Sequence, residues 1–276
     1  MTTIAPEDAQ VRPPVRIASL YAGMVRAEMQ AASTYRAQLV LSVLAWVVPL
    51  AFLTLWRSAA ADGPVGGITA TQFSTYFCLL LVTTNLQLSM PVIFDFGWLV
   101  YSGQMSALLV RPCHPVHQVI ARAIAEKVYV LPGLAIIVPV ALVLTGGSVS
   151  GTPFAWLVAV LATLLGTVAV VYLAAMAGAI AFWMTKAQGV QGLLVGAEWV
   201  LGGIVAPVAL LPGAWSDIVQ HQPFWYADAA APEILSGISA PSLWIVTEAA
   251  VWVVALHLLY RVLWRRALRK YDAVGT

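Results

Sequence analysis

The sequence predicts an all-α polytopic membrane protein with six transmembrane helices, and three observations carry that prediction. The 276 residues are 61% hydrophobic and only 9% charged, where a globular chain carries about 25% charged residues. Apolar runs recur that are long enough to cross a hydrocarbon core of about 30 Å. The fourteen Lys and Arg residues collect on alternate sides of those runs. A soluble domain needs a polar surface that these residues cannot build. Soluble enzymes, nucleic-acid binders and secreted disulfide scaffolds are therefore excluded. Cys78 lies in an apolar run and Cys113 in a polar connection, so the two are not natural disulfide partners.

The first element is an amphipathic helix within 15–36. At about 100° per residue, Ile17, Leu20, Tyr21, Met24 and Val25 share one face, while Arg12, Arg16, Ser19, Arg26 and Gln30 gather on the other. A helix lying in the membrane interface satisfies that pattern. Glu28 falls on the apolar face without an evident reason. Six spans follow, at 38–56, 73–94, 128–145, 154–184, 189–211 and 243–264. Their continuous apolar character, without strand-type alternation, argues helices rather than barrel strands. The fourth has 31 residues, about 46 Å of helix, and must tilt or protrude.

Basic residues fix the expected direction. Arg12, Arg16, Arg26, Arg36, Arg111, Arg122, Lys127, Lys186, Arg261, Arg265, Arg266, Arg269 and Lys270 fall on one side, and Arg57 alone on the other. Such residues are retained on the cytoplasmic side, which places both termini in the cytoplasm of a bacterial-type cell membrane. An even number of spans preserves this asymmetry.

On the opposite side, 207–242 is a loop too apolar to be freely solvated. Pro207, Pro212, Pro223 and Pro232 forbid a continuous helix through it. Short re-entrant external helices between spans five and six are the arrangement that fits, because irregular backbone at membrane depth must be covered by protein.

No H-E-x-x-H, G-x-S-x-G or G-x-x-x-x-G-K-[ST] pattern occurs. Cys113-His114-x-x-His117 is too sparse for a metal site, and no catalytic residue is assigned. Polar residues inside spans point instead to a pathway. The second span carries Thr83, Thr84, Asn85, Gln87 and Ser89, followed by Pro91. Such residues face a bundle interior or a cavity. Thr84 and Gln87, three apart on one face, are candidates for substrate contact, and bonding to neighbouring helices is the competing explanation. Glu198, read as the only clear acid within a span, is the third candidate pathway residue. Gly189, Gly192, Gly196 and Gly203 form a smooth stripe on the fifth span, suited to close helix packing.

Between spans two and three, Gly103-Gln104-Met105-Ser106-Ala107-Leu108-Leu109-Val110-Arg111-Pro112-Cys113-His114-Pro115 reads as a short helix stopped by proline. This stretch resembles the G-x-(hydrophobic)-x-x-x-L-x-R-P segment of ABC transporter type-2 permeases, in particular a compact six-span branch. Leu268-Arg269-Lys270-Tyr271-Asp272-Ala273-Val274-Gly275 is similar to that branch's basic ending, and Ala27-Glu28-Met29-Gln30 with Tyr35-Arg36 to its approach to the first span.

The resemblance implies a role for each piece. Residues 103–115 would form the cytoplasmic coupling helix, with Gly103, Met105, Leu108, Leu109, Arg111, Pro112 and His114 facing an ABC-type ATP-binding subunit. The N-terminal helix would be the elbow, and the segments after Pro207 would close the outer end of the pathway. This chain would carry no cofactor, with ATP and Mg bound by the partner ATPase. Two permease subunits, with a heterodimer favoured over a homodimer, would export a hydrophobic or amphipathic small molecule such as a drug, antibiotic or natural product. Multidrug resistance is the associated role, with membrane lipids as surroundings and no nucleic acid as partner. The alternative is a polytopic membrane enzyme or sensor acting on lipid-like molecules.

Overall fold

A computed structural model describes residues 17–32, 44, 46–111, 113–184 and 187–271. The first element, α1, is Ile17–Ala32, and α2 is Val47–Ala59. Helices α3 (Ala70–Leu86) and α4 (Ser89–Tyr101) are separated by Gln87 and Leu88, and a one-turn helix, α5 (Met105–Leu109), follows. Next come α6 (Pro115–Thr145) and α7 (Pro153–Ala179), which ends in a 3₁₀ turn at Ile180–Phe182, then α8 (Gln188–Leu201). A 3₁₀ turn at Val208–Leu210, α9 (Ala214–Val219), a π-turn at Trp225–Ala229 continuous with α10 (Ala230–Leu235), and α11 (Leu243–Lys270) complete the order. Among the described residues the only strand-type pairing is the isolated bridge Val65–Ile68.

The helix starts have visible causes, and α6 begins at Pro115, well before the expected third span at 128. At α3 the Thr69 hydroxyl accepts from the Gln72 N–H (3.3 Å) while the Gln72 side chain accepts from the Thr69 N–H (3.0 Å), a reciprocal capping box. Helices α6 and α7 open on Pro115 and Pro153, where the missing N–H costs nothing. The caps are His114, whose Nδ1 accepts from Val116 N–H, and Thr152, whose hydroxyl accepts from Ala155 N–H.

Among the described residues, four segments are long and apolar enough to cross a membrane: Ala70–Tyr101, Pro115–Thr145, Pro153–Phe182 and Leu243–Lys270. The apolar helices α2 and α8 stand where the first and fifth spans were expected, but have 13 and 14 residues. Residues 38–43 and 45 of the first expected span lie outside the described residues. The fifth stops at Leu201 rather than Leu211. Gly202 N–H closes on the Glu198 carbonyl at 2.8 Å, and Gly203 turns the chain away at φ +77°, a conformation that glycine adopts without steric cost.

Helix α7 is the centre of the bundle. Ala155, Ala159, Ala162, Ala169, Ala174, Ala175 and Ala179 are all buried along it, so that α4 and α11 pack closely on its surface. From Pro223 to Ser236 every residue is buried. This segment lies against α3 and α7. At Gly166 the approach is so close that an added Cβ would run into the backbone of Tyr226 and Ala227. Helix α1 packs on the first half of α6: Tyr21 hydrogen-bonds His117, and the Tyr129 hydroxyl donates to the Met29 carbonyl at 2.6 Å. Glu28, unexplained in the sequence, is half-buried on α1.

The two ends of the bundle differ. At one, Tyr271 donates to the Gly103 carbonyl (3.3 Å) and the rings of Phe182 and Tyr271 lie 5.4 Å apart. Arg111, Arg265, Arg266, Arg269 and Lys270 collect there, with Arg122 and Lys127 two and three turns along α6. At the other, Trp56 donates to the Val205 carbonyl (2.8 Å) and Gln72 to that of Gly237 (3.1 Å). Arg57 belongs to this end.

Candidate functional site

The helix break after α3 is the starting point of the site. Pro91 has no N–H to offer the carbonyl four residues back, at Gln87, and the chain at Gln87 is extended, with ψ 140°. Around this break lies a cavity of about 300 Å³. It is bounded by Thr84, Asn85, Gln87 and Ser89 at the break, by Glu126 and Lys127 of α6, by Glu198 of α8, and by Asp228 of the π-turn. The three candidate pathway residues Thr84, Gln87 and Glu198, far apart in sequence, therefore share one cavity.

Their hydrogen bonds are divided between structure and cavity. Thr83 donates to the Asp228 carbonyl (2.8 Å) and Gln87 Nε2 to the Ala227 carbonyl (2.9 Å), so α3 holds the π-turn in place. The Thr84 hydroxyl is turned back onto the Leu80 carbonyl (2.7 Å), and the Trp46 indole donates to Asn85 Oδ1 (2.9 Å). Ser89 donates to Glu198 Oε1 at 2.7 Å. Most of the polar run in the second span thus bonds neighbouring elements. What it leaves over is acceptor capacity: Gln87 Oε1, Glu198 Oε2 and both carboxyl oxygens of Asp228 are buried without a hydrogen-bond partner. Such groups are costly to leave unmade. The side chain of Lys127 borders the same space.

Sequence reasoning missed part of this constellation. Glu198 is not the only buried acid: Asp228 and Glu233, assigned to an external loop, are 1% and 0% exposed. Glu233 is spoken for, accepting from the Trp225 indole (3.1 Å), the Ser239 hydroxyl (2.9 Å) and the Ala209 N–H (3.3 Å). Asp228 lies in the π-turn, a geometry that recurs at functional sites. The available signal was two acids within a proline-broken aromatic stretch. Lys127 falls just ahead of the expected third span at 128–145, but α6 begins at Pro115 and carries Glu126 and Lys127 to the cavity wall.

The 103–115 segment has an inner and an outer face. Gly103 makes the turn before α5, with φ +72°. Met105 (0% exposed) packs in the core with Val92 and Phe96, Leu108 (9%) is buried, and Leu109 is half-buried against the same cluster. Outward are Ser106, Ala107, Val110 and Arg111. Arg111 donates to Gln118 Oε1 at 2.7 Å. His114 faces inward as the α6 cap, with its ring 4.6 Å from that of Trp264. Pro112 lies outside the described residues. Only Arg111, among the seven residues assigned to coupling, is both described and on the exposed side of the segment.

Residues 50–275 match the family model of the ABC-2 family transporter protein. The chain belongs to the ABC-2 transporter family. No curated protein matches it. Family membership makes it a multi-pass membrane permease of the ABC-transporter class, a transport component that generally works with an ATP-binding subunit.

In this ABC-2 transporter protein the glycine stripe divides. Gly189, Gly192 and Gly196 lie on an exposed face of α8 with open space where a Cβ would project, whereas Gly203 is buried beyond the helix against Tyr76 and Ala229. The first three therefore pack against nothing within the described residues of the chain. The two loop histidines have structural partners, His114 at the α6 cap and His117 with Tyr21. Among the described residues no group of three or more His, Cys, Asp or Glu is placed to hold a metal ion.

Proposed function

We propose that this chain is the membrane-spanning subunit of an ATP-binding-cassette exporter, driven by ATP hydrolysis on a separate subunit and moving a hydrophobic or amphipathic small molecule. The observation that carries the reading beyond family membership is the cavity at the α3–α4 break. It joins elements from five parts of the chain around unpaired acceptors, and it is otherwise bordered by apolar groups such as Met90, Val130 and Ile204. A space that combines fixed polar groups with apolar walls suits a small amphipathic cargo. Thr84, Gln87, Glu198 and Asp228 are its cargo-facing residues.

The remaining features support the same reading. The exposed face of α5, ending in Val110 and Arg111, offers a contact surface for the ATP-binding subunit on the basic, cytoplasmic side. Closure of the ATPase pair would bias the permease between two states through that contact. The open Gly189–Gly192–Gly196 face, flanked by the 76%-exposed Leu193, suits a second permease subunit, identical or different.

The test is reconstitution with the ATP-binding subunit and a screen for compounds that stimulate ATP hydrolysis. A stimulating amphipathic compound should lose about tenfold in apparent affinity with Glu198→Gln or Gln87→Leu, the worth of one hydrogen bond to a charged or buried group. Equal stimulation of the wild type and both variants would contradict the assignment of this cavity to cargo.

A further inference from the structure

A second cavity, of about 510 Å³, lies between the first turns of α6, the middle of α7 and the C-terminal half of α11. It does not share residues with the cargo cavity, and its chemistry is the reverse. Apart from Thr167 and the His257–Tyr172 pair, which satisfies itself at 2.9 Å, its polar groups present donors, and no carboxylate lines it. Arg261 and Arg265 stand at its basic end, and neither has an ion-pair partner within 4.0 Å among the described residues.

Two further donors belong to residues that line the same space. The Tyr260 hydroxyl belongs to a residue only 7% exposed and has no hydrogen-bond partner. His114 accepts from the Val116 N–H through Nδ1. Burial, with His117 beside it, pushes its imidazole down to about 4, so the ring is neutral near pH 7 and its proton resides on Nε2. That N–H too is buried without an acceptor. Two unmet donors beside two free guanidinium groups call for an acceptor-rich anion. The remaining wall, including Ile120, Val168 and Val171, is apolar, and the cavity runs from Arg265 to His257, about 12 Å along α11 toward the middle of the bundle.

We propose that this cavity binds an anionic phospholipid from the leaflet on the basic side of the bundle, with the phosphate held by Arg261, Arg265, Tyr260 and His114 and an acyl chain along Val168 and Val171. Anionic lipid is attracted to basic clusters at this membrane depth. The cavity adds what a general surface attraction lacks: directed donors and a slot for the chain. The proposal rests on the membrane location of the chain and not on which cargo it carries.

The experiment is native mass spectrometry of the full-length chain in neutral detergent, titrated with phosphatidylglycerol, with phosphatidylcholine of the same acyl chains, and with oleate. One phosphatidylglycerol should bind about tenfold more tightly than phosphatidylcholine, as expected for charge-assisted hydrogen bonds. Arg261→Gln with Arg265→Gln, both at exposed positions, should remove that preference. Tyr260→Phe, which keeps the ring packing, should weaken it about threefold or more. Arg266→Gln with Arg269→Gln, on the same helix but outside the cavity, should leave it intact. Equal binding of the two phospholipids, equal loss in both arginine pairs, or tighter binding of oleate than of phosphatidylglycerol would overturn the proposal.

Discussion

The hydroxyl of Ser89 donates to the carboxyl group of Glu198 at 2.7 Å, tying the first turn of α4 to the last turn of α8. The bond satisfies one oxygen of an acid that is only 3% exposed and leaves the other buried without a partner. It also explains why a polar serine is tolerated fully buried at a helix break. Ser89→Ala should destabilise the purified protein by about 1–3 kcal/mol, the cost of stranding a buried polar group. Adding Glu198→Gln to Ser89→Ala should recover part of that loss, because an amide is less costly to bury than a charge. Thermal unfolding in detergent measures both, and a double variant less stable than the single one would contradict the account.

The buried segment from Pro223 to Ser236 depends on contact at Gly166. Gly166→Leu places a side chain into the backbone of Tyr226 and Ala227, so overpacking should cost about 1–3 kcal/mol or more and displace Asp228 from the cavity. Gly192→Leu meets open space. It should leave the single chain folded and reduce association between permease subunits. Size-exclusion chromatography with cross-linking separates the two outcomes.

The two faces of α5 make opposite predictions. Leu108→Asp buries an unpaired charge among core side chains, a change that costs on the order of 3–5 kcal/mol, and should abolish folded, membrane-inserted protein. Val110→Asp alters a residue 85% exposed. It should preserve expression and thermal stability while weakening contact with the ATP-binding subunit. Comparison of membrane yield with the amount of ATPase captured decides between them.

His114 supplies a pH dependence. Its folded pKa of about 4 lies below the ordinary value of 6.5. Between those values the unfolded chain binds a proton that the folded chain refuses, so stability falls as pH drops from 6.5 toward 4 and levels off below. His114→Asn retains a cap for α6 but cannot titrate. Its unfolding temperature should therefore decline less than that of the wild type across this window.

Much of the architecture was legible because the bilayer imposes simple rules. Apolar run length located the long helices, but it placed the start of the third span at 128, because the first three turns of α6, from Pro115, carry too many polar residues to read as a span. The buried Pro223–Ser236 segment was foreshadowed by its prolines and aromatics. The site was harder to read. Thr84, Gln87 and Glu198 were visible as polar residues in apolar surroundings, but Asp228 could be recognised only once the segment around it was seen folded against α7. Met105 and Leu108 show the same limit. A short helix gives too few residues for periodicity to say which side faces inward, and tertiary packing decided it.

The most direct test of the central claim is isolation of the full-length chain from gently solubilised membranes, with mass identification of what accompanies it. An ATP-binding subunit carrying a phosphate-binding loop should be recovered with the wild type, and its yield should fall with Val110→Asp at unchanged permease recovery. A chain that emerges alone and monodisperse, with no ATP-binding subunit under any mild condition, would contradict the account of a permease driven by a separate ATPase.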